Sequence, residues 1–401
     1  MLIYEYKLQG NKAQYAAIDE AIRIVQFIRN KALRLWMDTR GTNRNDLQCL
    51  CAILAQQFPF VASLNSQARQ AAADRAWAAI SRFYDNCKAH KPGKKGYPCF
   101  QHDNRSVEYK QTGWKLEPNG KHITFTDGCG TGRLRLVGSK NQRIEEFPLQ
   151  QIKRVRLLRR ADGYYVQFAV DADRHIEHVP TGKQAGIDMG LRDFLTDSEG
   201  NTVANPRPLR KAEKRLKKLH RRLSRKQKKS SNRKKARKQL AKAYLKVQRQ
   251  REDFARKTAS TLISSHDLIA FENLKIANLV KNRKLAKSIS DASWGRFLSW
   301  LSYYGQVQSI PVIAVEPTFT SQDCSACGSR VKKSLSVRTH ICSRCGLVLD
   351  RDHNAAINIL QKAVDRTVGH TETGTPSSVQ NASGQTASTC SGRARSGKRA
   401  G

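Results

Sequence analysis

Two sets of residues have the types and spacing to do chemistry: four cysteines and three acids. The cysteines form two C-x2-C pairs separated by fourteen residues, Cys324 with Cys327 and Cys342 with Cys345. Two such pairs supply four thiolates, the closed tetrahedral ligand set that zinc prefers in structural sites. The alternative, four buried free thiols, does not explain why a glycine, which favours tight turns, follows the second cysteine of each pair. Because four sulfur ligands leave no open position, we do not expect a catalytic zinc.

The three acids lie where predicted strands end or a predicted helix begins. Asp188 follows an apolar strand pattern, Glu272 ends the apolar run LIAFE, and Asp352 precedes a helical pattern. Carboxylates brought together by separate strands can hold two Mg²⁺ ions about 3.5–4 Å apart for phosphodiester hydrolysis. Taken singly, each acid has a simpler interpretation. An Asp before a helix is commonly its N-cap, and Asp350 lies only two residues from Asp352.

The elements that must position these residues are indicated by the spacing of apolar side chains. Residues 1–10 alternate as a strand, and apolar residues then recur at helical spacing over 12–38 and 65–87. From 93 to 182 the pattern is again one of strands and turns. We therefore predict a β-barrel domain formed by 1–10 and 93–182, with a helical insertion at 11–92.

The second half of the chain alternates strands and helices. Strand patterns at 184–197, 267–272 and 310–316 are separated by helical stretches, and a helical pattern at 354–364 follows the cysteines. With an acid at the end of two strands and another before the last helix, this is the layout of an RNase H-like α/β fold. The predicted domains of this half are a nuclease domain over 183–319 and 349–365, a zinc ribbon over 320–348 and a disordered basic tail over 366–401.

The whole chain is strongly basic: 73 Lys and Arg against 33 Asp and Glu among 401 residues give a formal net charge of +40. Self-repulsion of this size destabilises a compact protein. It argues against a small neutral metabolite as substrate and for a polyanionic partner, most commonly nucleic acid. Solubility alone requires a net charge of only about 2–8 in a small domain. With 39% hydrophobic residues, the chain can bury a core.

Half of this charge is concentrated in one stretch of sequence. Residues 210–257 contain 23 Lys and Arg against three acids, a net charge of +20. Apolar residues repeat every three or four positions on both sides of Ser230, which predicts a basic helical hairpin over about 209–265. A solvated charged helix normally mixes the two signs. We therefore interpret this hairpin as a surface that faces phosphates.

The sequence contains no pattern expected of a secreted or membrane-spanning protein. The first residues lack a basic region followed by a long apolar run, and no run of about 18 apolar residues occurs. The other six cysteines are scattered, which fits free thiols better than a disulfide framework. We expect a cytoplasmic, nucleoid-associated protein without a membrane partner.

The motifs around these residues resemble those of the TnpB (OrfB) proteins encoded by insertion sequences, which are relatives of the type V CRISPR effector nucleases. The matching motifs are GIDMGL at 186–191, IAFENLKI at 269–276, KSISDASWG at 287–295, the CSACG and CSRCG pairs, and DRDHNAAINIL at 350–360. The resemblance is dense over about 180–365. Residues 1–180 fit the wedge barrel and helical recognition insertion of that family less specifically.

This resemblance implies an α+β multidomain protein that is an RNA-guided DNA endonuclease of a transposable element. The family's RuvC-type active site carries over to Asp188, Glu272 and Asp352 as ligands of two Mg²⁺ ions, with Asp352 favoured over Asp350. The four cysteines become the ligands of a structural Zn²⁺. The implied partners are a guide RNA from the transposon end, a target double-stranded DNA with a short adjacent motif, and its displaced single strand.

Two other functions stay open on the residues alone. An RNase H-like fold with three acids also serves transposases that cut and join transposon ends without RNA. A basic chain with a zinc ribbon also suits a non-catalytic, nucleic-acid-binding accessory protein. A defined RNA that co-purifies and is needed for activity would distinguish the RNA-guided endonuclease from the transposase. Metal-dependent cleavage would distinguish both enzymes from the accessory protein.

Overall fold

The computed structural model describes residues 1–138, 144–334 and 336–368. In these residues the chain forms two large sheets, one in each half, and a two-stranded ribbon. Most of the predicted basic tail, from residue 369 onward, lies outside the described residues. None of the helices in the described ranges is both long and apolar enough to cross a membrane.

The first half is built on a seven-stranded antiparallel sheet. Its strands are β1 Leu2–Gln9, β2 Ser106–Tyr109, β3 Trp114–Leu116, β4 His122–Phe125, β5 Gly132–Val137, β6 Ile152–Arg160 and β7 Gly163–Val170. Their order is β2-β6-β7-β1-β5-β4-β3. The first strand of the chain therefore lies at the centre of the sheet, between β7 and β5.

Four helices connect β1 to β2 and share one core with the sheet. They are α1 Lys12–Asp38, α2 Arg44–Gln57, α3 Pro59–Ala62 and α4 Ser66–Lys88. The two helical patterns predicted from the sequence correspond to α1 and α4, whereas α2 and α3 were not predicted. The α2 helix buries only three residues. This is too few for a helical period of apolar residues to be recognised in the sequence. Its start is instead marked by a capping box between Asn43 and Asp46.

The second half contains a five-stranded mixed sheet. Its strands are β8 Gln184–Asp188, β9 Asp193–Asp197, β10 Thr202–Ala204, β11 Leu268–Glu272 and β12 Val312–Val315, in the order β10-β9-β8-β11-β12. The first three strands are antiparallel, and β11 pairs in parallel with both β8 and β12. The short β10 lies beyond the strand pattern predicted at 184–197 and was not predicted. With three residues, it is too short to show a recognisable alternation.

Helices lie on both faces of the five-stranded sheet, α6 and α9 on one and α10 on the other. The helices of this half are α5 Pro208–Ser224, α6 Ser231–Ser265, α7 Ile276–Leu279, α8 Ala286–Ala292, α9 Trp294–Gln308 and α10 Arg351–Val368. Ile269 of β11 packs in a core with α6 and α9, whereas the next residue, Ala270, packs against α10. This alternation follows from the two-residue period of a strand. It makes β11 a buried central strand between two helical layers.

The basic stretch forms the two long helices α5 and α6, joined by a short turn. The hydroxyl of Ser230 accepts the backbone N–H of Arg233 and so caps the start of α6. The buried residues of the pair are small or aliphatic, among them Leu216, Ala236 and Leu240. The apolar stripe thus joins the helices to each other, and the Lys and Arg side chains are left on the outside.

Candidate active site and metal centre

Two of the three acids lie side by side because their strands are parallel neighbours. Asp188 is the last residue of β8 and Glu272 is the last residue of β11. The residues just before them, Ile187 and Phe271, are register partners. Adjacent strands lie about 4.8 Å apart and alternate their faces residue by residue. Asp188 and Glu272 therefore end neighbouring strands on the same face.

The third acid is brought to this face by α10, which packs directly on β8. A Cβ atom at Gly186 would lie 2.1 Å from the carbonyl oxygen of Ala356 and 2.6 Å from the amide nitrogen of Leu360. Glycine is thus the residue that lets the helix backbone approach the strand this closely. Because Gly186 and Asp188 are two residues apart, they share a face of the sheet. The helix therefore lies over the face that carries Asp188.

Asp350 and Asp352 have different roles, which the sequence left open. The Asp350 carboxylate accepts the backbone N–H of Asp352 at 2.8 Å and caps the first turn of α10. It thereby starts the helix at Arg351, three residues before the predicted start. Asp352 is not the cap: it is 6% exposed, and its carboxylate pairs with Arg351 at 2.8 Å and Arg338 at 3.2 Å.

The negative charges of the other two acids act on Asp188. The pKa of Asp188 is raised to about 8, first by burial of its carboxyl group and next by the negative charges of Glu272 and Asp352. Arg351 and Arg338 oppose this shift. Burial also raises the pKa of Glu272, against a hydrogen bond from the Thr320 hydroxyl. Like charges held together in this way are typical of functional sites.

The donor chemistry of this group suits a hard divalent cation. Three carboxylates are the oxygen ligands that Mg²⁺ takes in phosphoryl-transfer sites, and a cation would relieve the repulsion that raises the pKa of Asp188. Their oxygens are not gathered as tightly as the cysteine sulfurs. Among the described residues, only the four cysteines have all their ligand atoms within 4.8 Å of one another. Glu272 is hydrogen-bonded by Thr320 and Asp352 is paired with two arginines in this arrangement.

The four-cysteine cluster is formed by Cys324, Cys327, Cys342 and Cys345, and it lies between β12 and α10. Sulfur distances across the two pairs are 3.5 Å from Cys324 to Cys345 and 3.6 Å from Cys327 to Cys342. The two knuckles have the same backbone bonds. The N–H of Gly328 donates to the carbonyl of Cys324 at 2.9 Å, and the N–H of Gly346 donates to Cys342 at 2.9 Å. Their φ angles of +70° and +75° explain the two glycines.

The second cysteine pair lies between β13 Thr339–Ile341 and β14 Val348–Asp350, which pair with each other, and the segment around Cys324 is attached to α10 by two asparagines. The amide of Asn354 donates to the carbonyl of Asp323, and its oxygen accepts the N–H of Ser325. The amide of Asn358 also donates to the Asp323 carbonyl, at 2.7 Å. Because they are four residues apart on one helix, both point to the same side. The motif DRDHNAAINIL contains this spacing, but sequence reasoning assigned no role to it.

Asp291 is a fourth functional acid that sequence reasoning missed. It is 6% exposed and accepts the N–H groups of Leu209 and Arg210 in the first turn of α5, at 2.9 and 3.1 Å. It also accepts a hydrogen bond from Arg251 of α6 at 2.9 Å. One carboxylate therefore holds the base of both hairpin helices. The sequence did mark Asp291 as part of the motif KSISDASWG at 287–295. Only its contacts in the structure reveal what it does.

These features define a mixed α/β protein with a carboxylate site at the ends of parallel strands and an attached four-cysteine cluster. Two family models match it: OrfB_IS605, described as "Probable transposase", over residues 167–283, and the Cas12f1-like TNB domain over 294–359. The resemblance to the TnpB (OrfB) proteins is thereby confirmed. Both matched segments lie in the half that contains the acids and the cysteines.

Named relatives agree with these family matches. A Streptomyces pristinaespiralis protein named "Putative RNA-guided DNA endonuclease" is 40% identical over 45% of this chain and 45% of its own. The Escherichia coli protein "Putative RNA-guided DNA endonuclease InsQ" is 28% identical over 52% of this chain and 56% of its own. The chain thus spans about half the length of these curated relatives.

A solved structure shows the same fold over most of the chain. The Cas12f1 chain from a complex with sgRNA and target DNA superposes with a TM-score of 0.52 and 12% identity, covering 86% of this chain and 82% of that one. The mixed α/β architecture predicted from the sequence is therefore confirmed at the level of the fold.

Replacing Gly186 by Ala should disturb the site without removing any chemical group. A methyl group at this position meets the α10 backbone, so α10 must shift and move Asp352 relative to Asp188. We expect a loss of about 1–3 kcal/mol in the free energy of unfolding, as for other overpacked cores, measured by urea denaturation. Gly295→Ala in α9 is the matched control, because its nearest atom would be at an ordinary 3.7 Å. Equal stability of the two variants would contradict the close approach.

Proposed function

We propose that this chain is an RNA-guided DNA endonuclease of a transposable element. The observation that supports the proposal is that Asp188 and Glu272 end neighbouring parallel strands on one face of the sheet, over which α10, the helix that contains Asp352, is packed. The matched family models and the names of the relatives support the same reading. The sheet, with three antiparallel strands followed by two strands added in parallel, also supports the RNase H-like layout expected from the sequence.

In this proposal the three acids hold two Mg²⁺ ions, which would activate a water and stabilise the leaving oxygen of a phosphodiester. The chain itself sets the positions of the three carboxylates. Thr320 orients Glu272 through its hydroxyl group. Arg338 and Arg351 neutralise Asp352, and we propose that their guanidinium groups turn to the DNA phosphates when cations bind the acids.

The four-cysteine cluster is proposed to hold a structural Zn²⁺. Four sulfur atoms within 4.8 Å of one another suit tetrahedral coordination and leave no position for substrate. Through Asn354 and Asn358 the cluster is tied to α10, the helix that carries Asp352. We propose that zinc binding thereby stabilises the position of one catalytic acid.

The proposed domain roles follow the predicted boundaries. Residues 1–10 and 93–182 correspond to the wedge domain, 11–92 to the recognition insertion, 183–319 and 349–365 to the RuvC domain, and 320–348 to the zinc ribbon. The basic helices α5 and α6 would contact the guide RNA or its duplex with target DNA through phosphates. The guide pairs with the target strand, so the protein needs to read mainly shape and charge. A cytoplasmic, nucleoid-associated location stays a prediction.

Co-expression with the flanking transposon end tests the proposal. We expect one defined RNA to co-purify, and we expect Mg²⁺-dependent cleavage only of DNA that matches its guide segment. Sequencing the bound RNA and assaying matched and scrambled targets measures both. Cleavage that is indifferent to the RNA would refute guidance. The absence of metal-dependent cleavage of every DNA substrate would refute the nuclease assignment.

A DNA transposase that acts without RNA is the second candidate, favoured by the description of the OrfB_IS605 model as a transposase. Its acids would perform the same hydrolysis and then join the transposon end to new DNA. The same experiment separates the two, because a transposase would act on transposon ends whether or not RNA is present. Strand-joining products in the absence of RNA would favour this second function.

A further inference from the structure

A cavity beside the acids carries an inference that rests on the proposed nuclease function. We name it the Arg192 pocket. Its volume is about 550 Å³, within the range of small-ligand sites. It is formed by the turn after β8, the start of α5, and α8 with the residues just before it. The cations that line it are Arg192, Arg207, Arg210, Lys284 and Lys287.

The pocket is connected to the acids through Arg192. This residue follows Asp188 by four positions, so their Cα atoms are at most about 15 Å apart. Its guanidinium lies 3.5 Å from the carboxylate of Asp350, which in turn caps the helix that begins beside Asp352. A strand held in the pocket would therefore lie within reach of the carboxylate site.

The pocket has an excess of positive charge that the protein does not neutralise. Its lining includes two carboxylates, Glu213 and Asp291, and both already have partners. Lys287 and Lys217 bind Glu213 and lower its pKa to about 2. Asp291 is bound by two backbone N–H groups of α5 and by Arg251. Neither acid is thus available to pair with the other cations.

Three of the cations lack a carboxylate partner. The guanidinium of Arg207 donates to the carbonyls of Leu191 and Arg192, which are neutral. No ion pair involving Arg210 or Lys284 occurs in the part of the chain that the structure describes. Uncompensated cations around a cavity attract an anion. Because Asp291 already satisfies the first N–H groups of α5, the attraction comes from side chains rather than from the helix terminus.

We propose that the Arg192 pocket binds backbone phosphates of the single DNA strand that is led to Asp188, Glu272 and Asp352. Phosphates are the anions that recur along such a strand, and arginine and lysine bind them without reading the base. Leu285, which is 44% exposed at the rim, offers an apolar surface to a base. The pocket thus positions the scissile strand, whereas the Lys and Arg side chains of α5 and α6 that lie outside the pocket serve the RNA.

The test uses the double variant Arg210→Gln/Lys284→Gln of the full chain. Binding of a short oligothymidylate is measured by fluorescence anisotropy over a range of salt concentrations, in Mg²⁺-free buffer without chelator so that no cleavage occurs and the cysteine-bound metal is kept. Loss of two phosphate contacts should reduce the slope of log K against log salt by about 1.4, since each contact with single strands contributes about 0.7. The slope for the co-expressed guide RNA should not change.

Lys115→Gln/Lys121→Gln is the matched control. It removes the same charge from exposed positions on the seven-stranded sheet, and we expect it to leave the DNA slope unchanged. Any of three results would overturn the proposal: an unchanged DNA slope in the pocket variant, an equal decrease of the DNA slope in both variants, or a decrease of the same size in the slope for the guide RNA. Because binding is measured without cleavage, failure of the RNA-guided nuclease proposal would appear separately, in the cleavage assay. Equal thermal midpoints check that the variants are folded.

Discussion

Replacing Asp188 by Ala should abolish DNA cleavage while leaving RNA and target binding nearly unchanged. Asp188 ends β8, and the negative charges of Glu272 and Asp352 act on it, so its loss removes one of the three proposed metal ligands. Residues that act as one unit lose most activity when any one is removed, and we expect a decrease of about 10³-fold or more. The measurements are cleavage of a matched target in Mg²⁺ and the affinity of the RNA-bound protein for that target in Mg²⁺-free buffer without chelator.

Binding should survive because the Asp188→Ala variant should remain folded, and the reason for this is electrostatic. The pKa of Asp188 is raised first by burial of its carboxyl group and next by repulsion from two neighbouring carboxylates. Replacing this group by Ala removes both penalties in the Mg²⁺-free protein, so the variant should be at least as resistant to thermal unfolding in Mg²⁺-free buffer without chelator. Full cleavage by Asp188→Ala in Mg²⁺ would refute the assignment of the site.

Asp350→Ala is the control within the neighbouring motif. Its carboxylate caps α10 and pairs with Arg192 and is not one of the three acids. We expect this variant to cleave measurably and to lose about 1 kcal/mol of stability, the usual cost of a missing cap. If cleavage were instead abolished in Asp350→Ala and retained in Asp352→Ala, the roles of the two acids would have to be exchanged.

Replacing Cys324 by Ser should remove the bound metal and, with it, the order of the ribbon. Cys324 is 2% exposed and belongs to the only set of four sulfurs within 4.8 Å in the described residues. Structural zinc contributes about 10–16 kcal/mol to the folding of small sites, and three thiolates bind it far less tightly. We expect zinc content to fall from one ion per chain toward none, with faster proteolysis between 320 and 350.

Loss of the ribbon should also reduce cleavage, because Asn354 and Asn358 join it to the helix that carries Asp352. Cys99→Ser is the matched control, since this thiol is free and exposed and should leave zinc content, proteolysis and cleavage unchanged. Chelation of the metal from the parent protein should reproduce the effect of Cys324→Ser. A zinc-free Cys324→Ser protein with normal folding and activity would refute the structural role.

Much of the local structure could be predicted because it depends on neighbours in sequence. The period of apolar residues indicated β1, α1, α4 and the two basic helices, since helices and strands repeat at 3.6 and 2 residues. Pairs of cysteines with a following glycine indicated the knuckles, since each knuckle is closed by bonds within six residues. Weak or short patterns were missed: α2 has a narrow stripe, and β10 has three residues.

The arrangement of the candidate site depended on contacts between distant residues, which no local pattern contains. Gly186 was part of a motif, but the reason for a glycine is the backbone of Ala356, which lies 170 positions away. Asp291 was part of another motif, but its partners begin at Leu209. The resemblance favoured Asp352 over Asp350 as the ligand, but only the backbone of α10 showed that the Asp350 carboxylate accepts its N–H group as the cap.

By itself, the sequence determined the kinds of chemistry in this protein: four thiolates for one metal ion, acids after apolar strands, and a concentration of positive charge for a polyanion. These follow from residue type and spacing, which act over a few positions. Only the tertiary structure decided which carboxylates meet, which of them is a cap, and where unpaired cations surround a cavity. Such outcomes depend on how strands pair in register and how helices pack on them, and packing joins residues that are far apart along the chain.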